Sequence, residues 1–152
     1  MVQMYDSRED TLKHKAQVKK YIESMIVELK ERSLTHDDSK LREPEKSIFD
    51  KYTPKLSSVT YGSDEYKQYL KEMQVALDHH YLYNRHHIEH FEDGIRGMTL
   101  IDLCEMLCDW MAAVKRHEDG DILQSIEINQ RRFDYSDELK QILINTVNDW
   151  GE

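Results

Sequence analysis

The sequence predicts an all-α protein, a single-domain bundle of about six to seven helices over residues 1–152. Two observations carry this. Apolar residues recur at three- and four-residue spacing along most of the chain, and the breakers are sparse, with five Gly and two Pro among 152 residues. A charged fraction of 34% beside 39% hydrophobic residues fits long, solvated helices rather than a disordered chain. The length is also enough to bury a core without disulfides or a structural metal.

The elements follow in order. Leu12, Val18, Tyr21, Ile22, Met25 and Leu29 predict a first helix over about Arg8 to Glu31, with this stripe buried and His14 on it. "SLTHDDSKLREPE" interrupts the pattern with cap and turn formers, which sets His36 and Asp37 at or near a helix start, and Pro44 ends or restarts a helix. A short helix near Glu45 to Tyr52 leads into "TPKLSSVTYGSD", read as a long loop and a mobile lid. From Asp64, the spacing of Tyr66, Leu70, Met73, Leu77 and Tyr81 predicts one helix ending near Asn84, with His80 on the same face. Thr99 caps the apolar "LIDLCEMLCDWMAAVKRH", Gly120 separates it from a helix with Ile122, Leu123, Ile126 and Phe133, and Ser136 caps the last helix.

A formal charge of −9 argues against a broad grip on polymeric nucleic acid or on an anionic membrane, both of which need excess Lys and Arg. With no apolar run of membrane-spanning length and no signal-like N-terminus, a soluble, cytoplasmic protein is expected. Cys104 and Cys108, four apart in an apolar helix, read as small core residues without chemistry.

The chemistry lies in the histidines. Five of the eight fall in "HHYLYNRHHIEH", His79 to His90. A histidine or carboxylate on an apolar stripe needs a partner, because an unpaired polar group in a dry interior costs on the order of several kcal/mol. His14, His36 with Asp37, His80, His86 with His87, and Asp109 are each explicable alone; together they call for a common centre. Imidazole and carboxylate ligands without thiolates suit one or two divalent transition-metal ions, Mn, Fe, Co, Ni or Zn. Asp109 stands in mid-helix without a cap role, whereas Thr99-x-x-Asp102 has the form of a capping box. Asp78, Glu89, Glu92 and Asp93 are available to orient ligating rings. Phosphate-binding loops, GxSxG and HExxH are missing, which leaves metal-assisted hydrolysis.

At "HDDSK" the chain resembles the HD-domain metal-dependent phosphohydrolases, an all-helical superfamily whose ligand order is His, His-Asp, then a distant Asp. Here that order is His14, His36 with Asp37, and Asp109. "HDDSK" is similar to the HDxxK of the HD-GYP branch, and "HHIEHFEDGIRGMTLIDLCEMLCDWMAA" resembles that branch's later region, in which Asp109 and Ala113 match a D-x-x-x-A motif. Gly94-Ile95-Arg96-Gly97 stands where a Gly-Tyr-Pro would, so a cyclic-dinucleotide specificity does not carry over. "HDDSK" with "NRHHIEH" also resembles an uncharacterised family common in phage and bacterial genomes.

The resemblance implies a metal-dependent phosphohydrolase acting on a nucleotide or other small phosphoester. Among the middle histidines, His80 with His86 or His87 is favoured as ligand. Asp37 is the candidate bridge between two ions, Lys40 and Arg85 the candidate phosphate-facing cations, and Glu43 or Glu89 the candidate proton carrier. A homo-oligomer is compatible with the sequence. The competing expectations are a catalytically inactive metal-binding or regulatory module, with a sealed coordination shell, and a metal-free interaction protein with its histidines scattered over the surface.

Overall fold

The computed structural model describes residues 5–60, 63–116 and 120–151. These residues are all-helical apart from turns and short connections. Seven α-helices run in chain order: α1 (Arg8–Thr35), α2 (Glu45–Ser57), α3 (Asp64–Glu72), α4 (Gln74–Tyr83), α5 (Leu100–Val114), α6 (Ile122–Phe133) and α7 (Asp137–Asp149). Three 3-10 turns intervene, at Asp38–Leu41, Ile88–His90 and Gly94–Gly97. None of the described helices is long and apolar enough to cross a membrane.

Side-chain caps explain where several helices begin. Ser63, Thr99, Asp121 and Ser136 each accept from a backbone N–H in the first turn of the helix that follows, satisfying donors that have no partner within the helix. At Thr99 the box is reciprocal. Thr99 Oγ1 accepts from Asp102 N at 3.2 Å, and Asp102 Oδ2 accepts from Thr99 N at 2.9 Å.

The apolar core joins Met106 and Leu107 of α5 to Ile122 and Ile126 of α6, Leu143 and Val147 of α7, and Ile88 and Tyr135 from the connections. Buried Tyr135 donates its hydroxyl to the Ile126 carbonyl at 2.6 Å, and burial pushes its phenol up to about 12. Around Tyr52, Met73 and Ala76 a second packed region joins α2, α3 and α4. Between the two, α5 faces the segment from His36 to Lys40 and the turn after α4.

Four expectations are corrected. The apolar stripe of α1 is not buried: Val18, Tyr21, Ile22 and Met25 are exposed, and only the C-terminal end of the helix packs on α5. The expected lid begins as helix, because α2 runs on through Pro54 to Ser57; Tyr61 and Gly62 lie outside the described residues. The single helix expected from Asp64 is two helices, broken at buried Met73. Cys104 and Cys108 are exposed, since α5 buries the face of Ile101, Asp102, Met106 and Leu107 instead.

Asp102 joins three parts of this frame. Its fully buried carboxylate accepts from Arg85 (Nε to Oδ1 3.1 Å, Nη2 to Oδ2 2.9 Å) and from Arg32 Nη2 at 3.0 Å, besides the Thr99 cap. Burial alone would raise its pKa, but Arg85, Thr99 and Arg32 together hold it below its ordinary value. Asp102→Ala leaves two guanidinium groups without their shared acceptor, and it is expected to cost about 3 kcal/mol in urea unfolding. Because the folded value lies below the unfolded one, this contribution is complete above the ordinary carboxylate range and disappears as pH falls through the depressed value. The stability gap between wild type and Asp102→Asn should therefore narrow in acid; a gap that widens there would contradict the assignment.

Candidate metal centre

Asp37 stands where α1 ends, with φ 59, a left-handed conformation that Asp tolerates better than most residues and that turns the chain into the 3-10 turn behind it. The turn is closed by Lys40 N donating to Asp37 O at 2.9 Å, which sets Lys40 Nζ 2.6 Å from Asp37 Oδ2. His36, the residue before, points toward α5.

The middle histidines arrive by a reversal rather than along one helix. Helix α4 carries His79 and His80 and stops at Tyr83, where Asn84 takes an extended conformation and donates its Nδ2 to the His80 carbonyl at 2.8 Å. The chain then doubles back, bringing His86 and His87 against His80. His80 Nε2 and His87 Nε2 face each other at 2.9 Å. The imidazoles pack closely: His86 lies 4.2 Å from His87 and 4.4 Å from His36 between ring centroids.

Two ligand groups share Asp37. In one, Asp37, His80, His86 and His87 bring their ligand atoms within 4.8 Å of one another; in the other, His36, Asp37 and Asp109 do the same. The carboxylate divides between them. Its Oδ1 lies 3.3 Å from His80 Nε2 and 3.4 Å from His86 Nε2, while its Oδ2 lies 3.7 Å from His36 Nε2. Asp109 Oδ1 is 3.5 Å from the same His36 nitrogen.

The outward-facing nitrogens are held by two glutamates. Glu105 Oε1 accepts from His36 Nδ1 at 2.9 Å and lies 3.1 Å from His86 Nδ1, and its Oε2 accepts from Arg32 Nη1 at 2.7 Å. Glu45, fully buried at the first residue of α2, faces His79 Nδ1 at 2.6 Å and His80 Nδ1 at 2.9 Å and accepts from Ser39 Oγ at 3.0 Å. The α2 N-terminus favours a carboxylate there. A carboxylate on Nδ1 selects the tautomer whose Nε2 lone pair is free, the form that ligates an ion.

This donor set fits a cation. Among the described residues, the buried side-chain polar atoms without a hydrogen-bond partner are Asp37 Oδ1 and His86 Nε2, and both face the centre. Their separation of 3.4 Å is contact without hydrogen-bond alignment. Burial would raise Asp37, but the imidazoles of His80 and His86 and the Lys40 ammonium outweigh it and hold the carboxyl far below its usual range. Glu105 is likewise held low against its burial by His36, His86 and Arg32. His36 is pushed up to about 10 by Asp109 and Glu105, whereas burial and its neighbours His86 and His80 pull His87 down to about 3. Protons on these rings and a divalent ion compete for the same lone pairs.

His80 and His86 are buried, whereas His36, Asp37, Lys40 and Asp109 are partly exposed, so the cluster reaches the surface at these four residues.

A family model matches residues 3–149, and its description is Family of unknown function (DUF5662). The chain belongs to that family. No curated protein and no solved structure matches it. In this DUF5662 chain the histidines and carboxylates above come from the segment just after α1, the start of α2, α4, the turn after α4, and α5, so the matched region contains every part of the cluster.

The structure gathers His36, Asp37, Lys40, His80, His86, His87 and Asp109, all of which the sequence singles out. Four other residues named from the sequence lie elsewhere. His14 is exposed on α1, roughly 30 Å from His36 at about 1.5 Å of rise per residue, because one continuous helix separates them. Arg85 is occupied by Asp102 and lies over the Phe91 ring, so it braces the frame rather than facing the centre. Glu89 is tied to Arg132 at 2.7 Å, and Glu43 accepts from Ser47, both away from the cluster.

Glu45 and Glu105 were not anticipated. Glu105 had a signal in its position one helical turn before Asp109 on the same face. Glu45 reads locally as an ordinary acidic residue in a first turn, and its role depends on α4 lying across α2. His14→Ala is expected to leave bound-ion stoichiometry unchanged by elemental mass spectrometry; loss of the ion in that variant would place His14 in the centre after all.

Proposed function

We propose that this protein is a metal-dependent phosphohydrolase acting on a nucleotide or other small phosphoester. The observation that carries the reading is the convergence of four imidazole Nε2 atoms and the Asp37 and Asp109 carboxylates on one partly exposed centre, with His80 oriented from behind by Glu45 and His36 and His86 by Glu105. One or two divalent transition-metal ions, Mn, Fe, Co, Ni or Zn, would be held by His36, Asp37, His80, His86, His87 and Asp109, and would lower the pKa of a water molecule and polarise a phosphoryl oxygen. The resemblance of "HDDSK" and of the segment ending at Ala113 to HD-domain phosphohydrolases supports the same reading.

The chain's own groups account for the rest of the chemistry. Asp37 offers one oxygen to each ligand group, which suits a bridging carboxylate. Lys40 Nζ uses one donor on Asp37 Oδ2, and its remaining N–H groups would serve a phosphate oxygen at the partly exposed edge of the cluster. The ammonium lies over the Phe49 ring, 5.2 Å from the centroid, which restrains the side chain there. A charge of −9 disfavours a long polyanion while leaving a short one admissible at a cationic centre.

A second reading, a metal-binding regulatory module without turnover, is favoured by the engagement of Arg85 with Asp102, which removes one of the two cations expected to face a phosphate. Protein loaded in turn with each of the five metals and offered nucleoside monophosphates, triphosphates, cyclic oligonucleotides and an aryl phosphate separates the two. Phosphate release that disappears in Asp109→Ala supports the hydrolase. Stoichiometric ion binding with no turnover of any of these substrates supports the module.

A further inference from the structure

We propose that the exposed stripe of α1 is the seam of a homodimer, in which the α1 helices of two copies lie antiparallel. Helix α1 has 28 residues and is about 42 Å long, yet buries none of them and packs on α5 only near its C-terminal end, where Arg32 is held. Val18, Ile22, Met25 and Leu29 are spaced alternately by four and three, the interval that keeps side chains on one seam between paired helices. Tyr21 and Ile26 flank them. Tyr21, Ile22 and Ile26 are 62%, 52% and 57% exposed, so among the described residues the stripe has no partner along most of its length. The same helical face carries Arg32 onto α5, so the seam continues a surface that the protein already uses for helix packing.

Charge selects the partner and its direction. Within α1, residues 8–20 carry Arg8 and four lysines against Glu9 and Asp10, a net positive half, whereas residues 21–35 carry Glu23, Glu28 and Glu31 against Lys30 and Arg32, a net negative half. A parallel pair lays lysines against lysines; an antiparallel pair lays the basic half of each helix along the acidic half of the other. A second copy of the chain supplies this complement along the helix. An anionic bilayer does not, since the glutamates beside the stripe and the chain's charge of −9 both oppose it. The inference does not depend on what the histidine cluster binds.

Sedimentation velocity on the purified full chain, over about a hundredfold range of concentration, tests it. A dimer is expected for the wild type, with self-association at least about tenfold weaker in Ile22→Glu and Met25→Glu while far-UV circular dichroism is unchanged. Since both positions are exposed in the monomer, neither substitution should disturb folding. Direction is read by oxidising a mixture of two single-cysteine chains, Val18→Cys and Leu29→Cys, each in a Cys104→Ser/Cys108→Ser background. Cross-links between the two different chains support the antiparallel seam. A wild type that stays monomeric throughout, a dimer that persists unweakened in both glutamate variants, or cross-linking confined to Val18→Cys with itself would each overturn the proposal.

Discussion

Asp37→Asn is expected to empty the centre of bound transition metal and to lower phosphoester hydrolysis by about a thousandfold, roughly 4 kcal/mol of barrier. The variant isolates charge and ligation from backbone effects, because Asn tolerates φ 59 much as Asp does and has nearly the same shape. What it removes is the one carboxylate common to both ligand groups, and with it the partner of Lys40 Nζ at 2.6 Å. Asp109→Ala should lose less, because Asp109 belongs to one ligand group only. Elemental mass spectrometry on wild type and both variants, prepared without chelator, reads the first effect, and phosphate release reads the second. Full ion content in Asp37→Asn would remove the basis for a shared carboxylate and for the hydrolase reading with it.

Glu105→Gln tests the support behind the rings. Glu105 is the common acceptor placed between His36 Nδ1, His86 Nδ1 and Arg32 Nη1. A glutamine cannot meet all three demands. With its carbonyl toward the imidazoles, its amide N–H groups oppose the Arg32 guanidinium; turned around, they oppose the two Nδ1–H groups and drive both rings toward the tautomer that points a proton at the centre. The expected result is a loss of about 10- to 100-fold in ion affinity with the ligand atoms themselves intact. Titration calorimetry with Mn or Zn measures this directly, and a histidine tautomer change is visible in nitrogen NMR. Wild-type affinity in Glu105→Gln would mean that the rings are positioned by packing alone.

These two experiments divide along what could and could not be read from the chain as a string. Asp109 was legible because it stands in mid-helix without a cap role, and His36 with Asp37 because, beside the other histidines, they call for a common centre and carry the "HDDSK" resemblance. Glu105 was nearly so, one turn from Asp109. Glu45 was not, because its partners His79 and His80 lie on another helix and no short-range pattern links them. His14 shows the opposite error: its place on an apolar stripe suggested burial, yet burial depends on whether another element covers that stripe, and among the described residues none does along the N-terminal half of α1. Arg85 stands beside the histidines in the chain, but Asp102 holds its guanidinium by the Nε–Nη2 edge.

Helical periodicity, cap residues and scarce Gly and Pro were enough to determine the all-α class and most helix starts, since those follow from interactions within a few residues. The cluster of "HHYLYNRHHIEH" was likewise visible as chemistry. Its arrangement was decided only by tertiary structure: α4 stops at Tyr83 and the chain folds back, so His86 and His87 meet His80 across a turn rather than along a helix face. The physical reason is range. Local propensity fixes which face a side chain occupies, but which faces meet, and therefore which lone pairs converge, is set by packing between elements far apart in sequence.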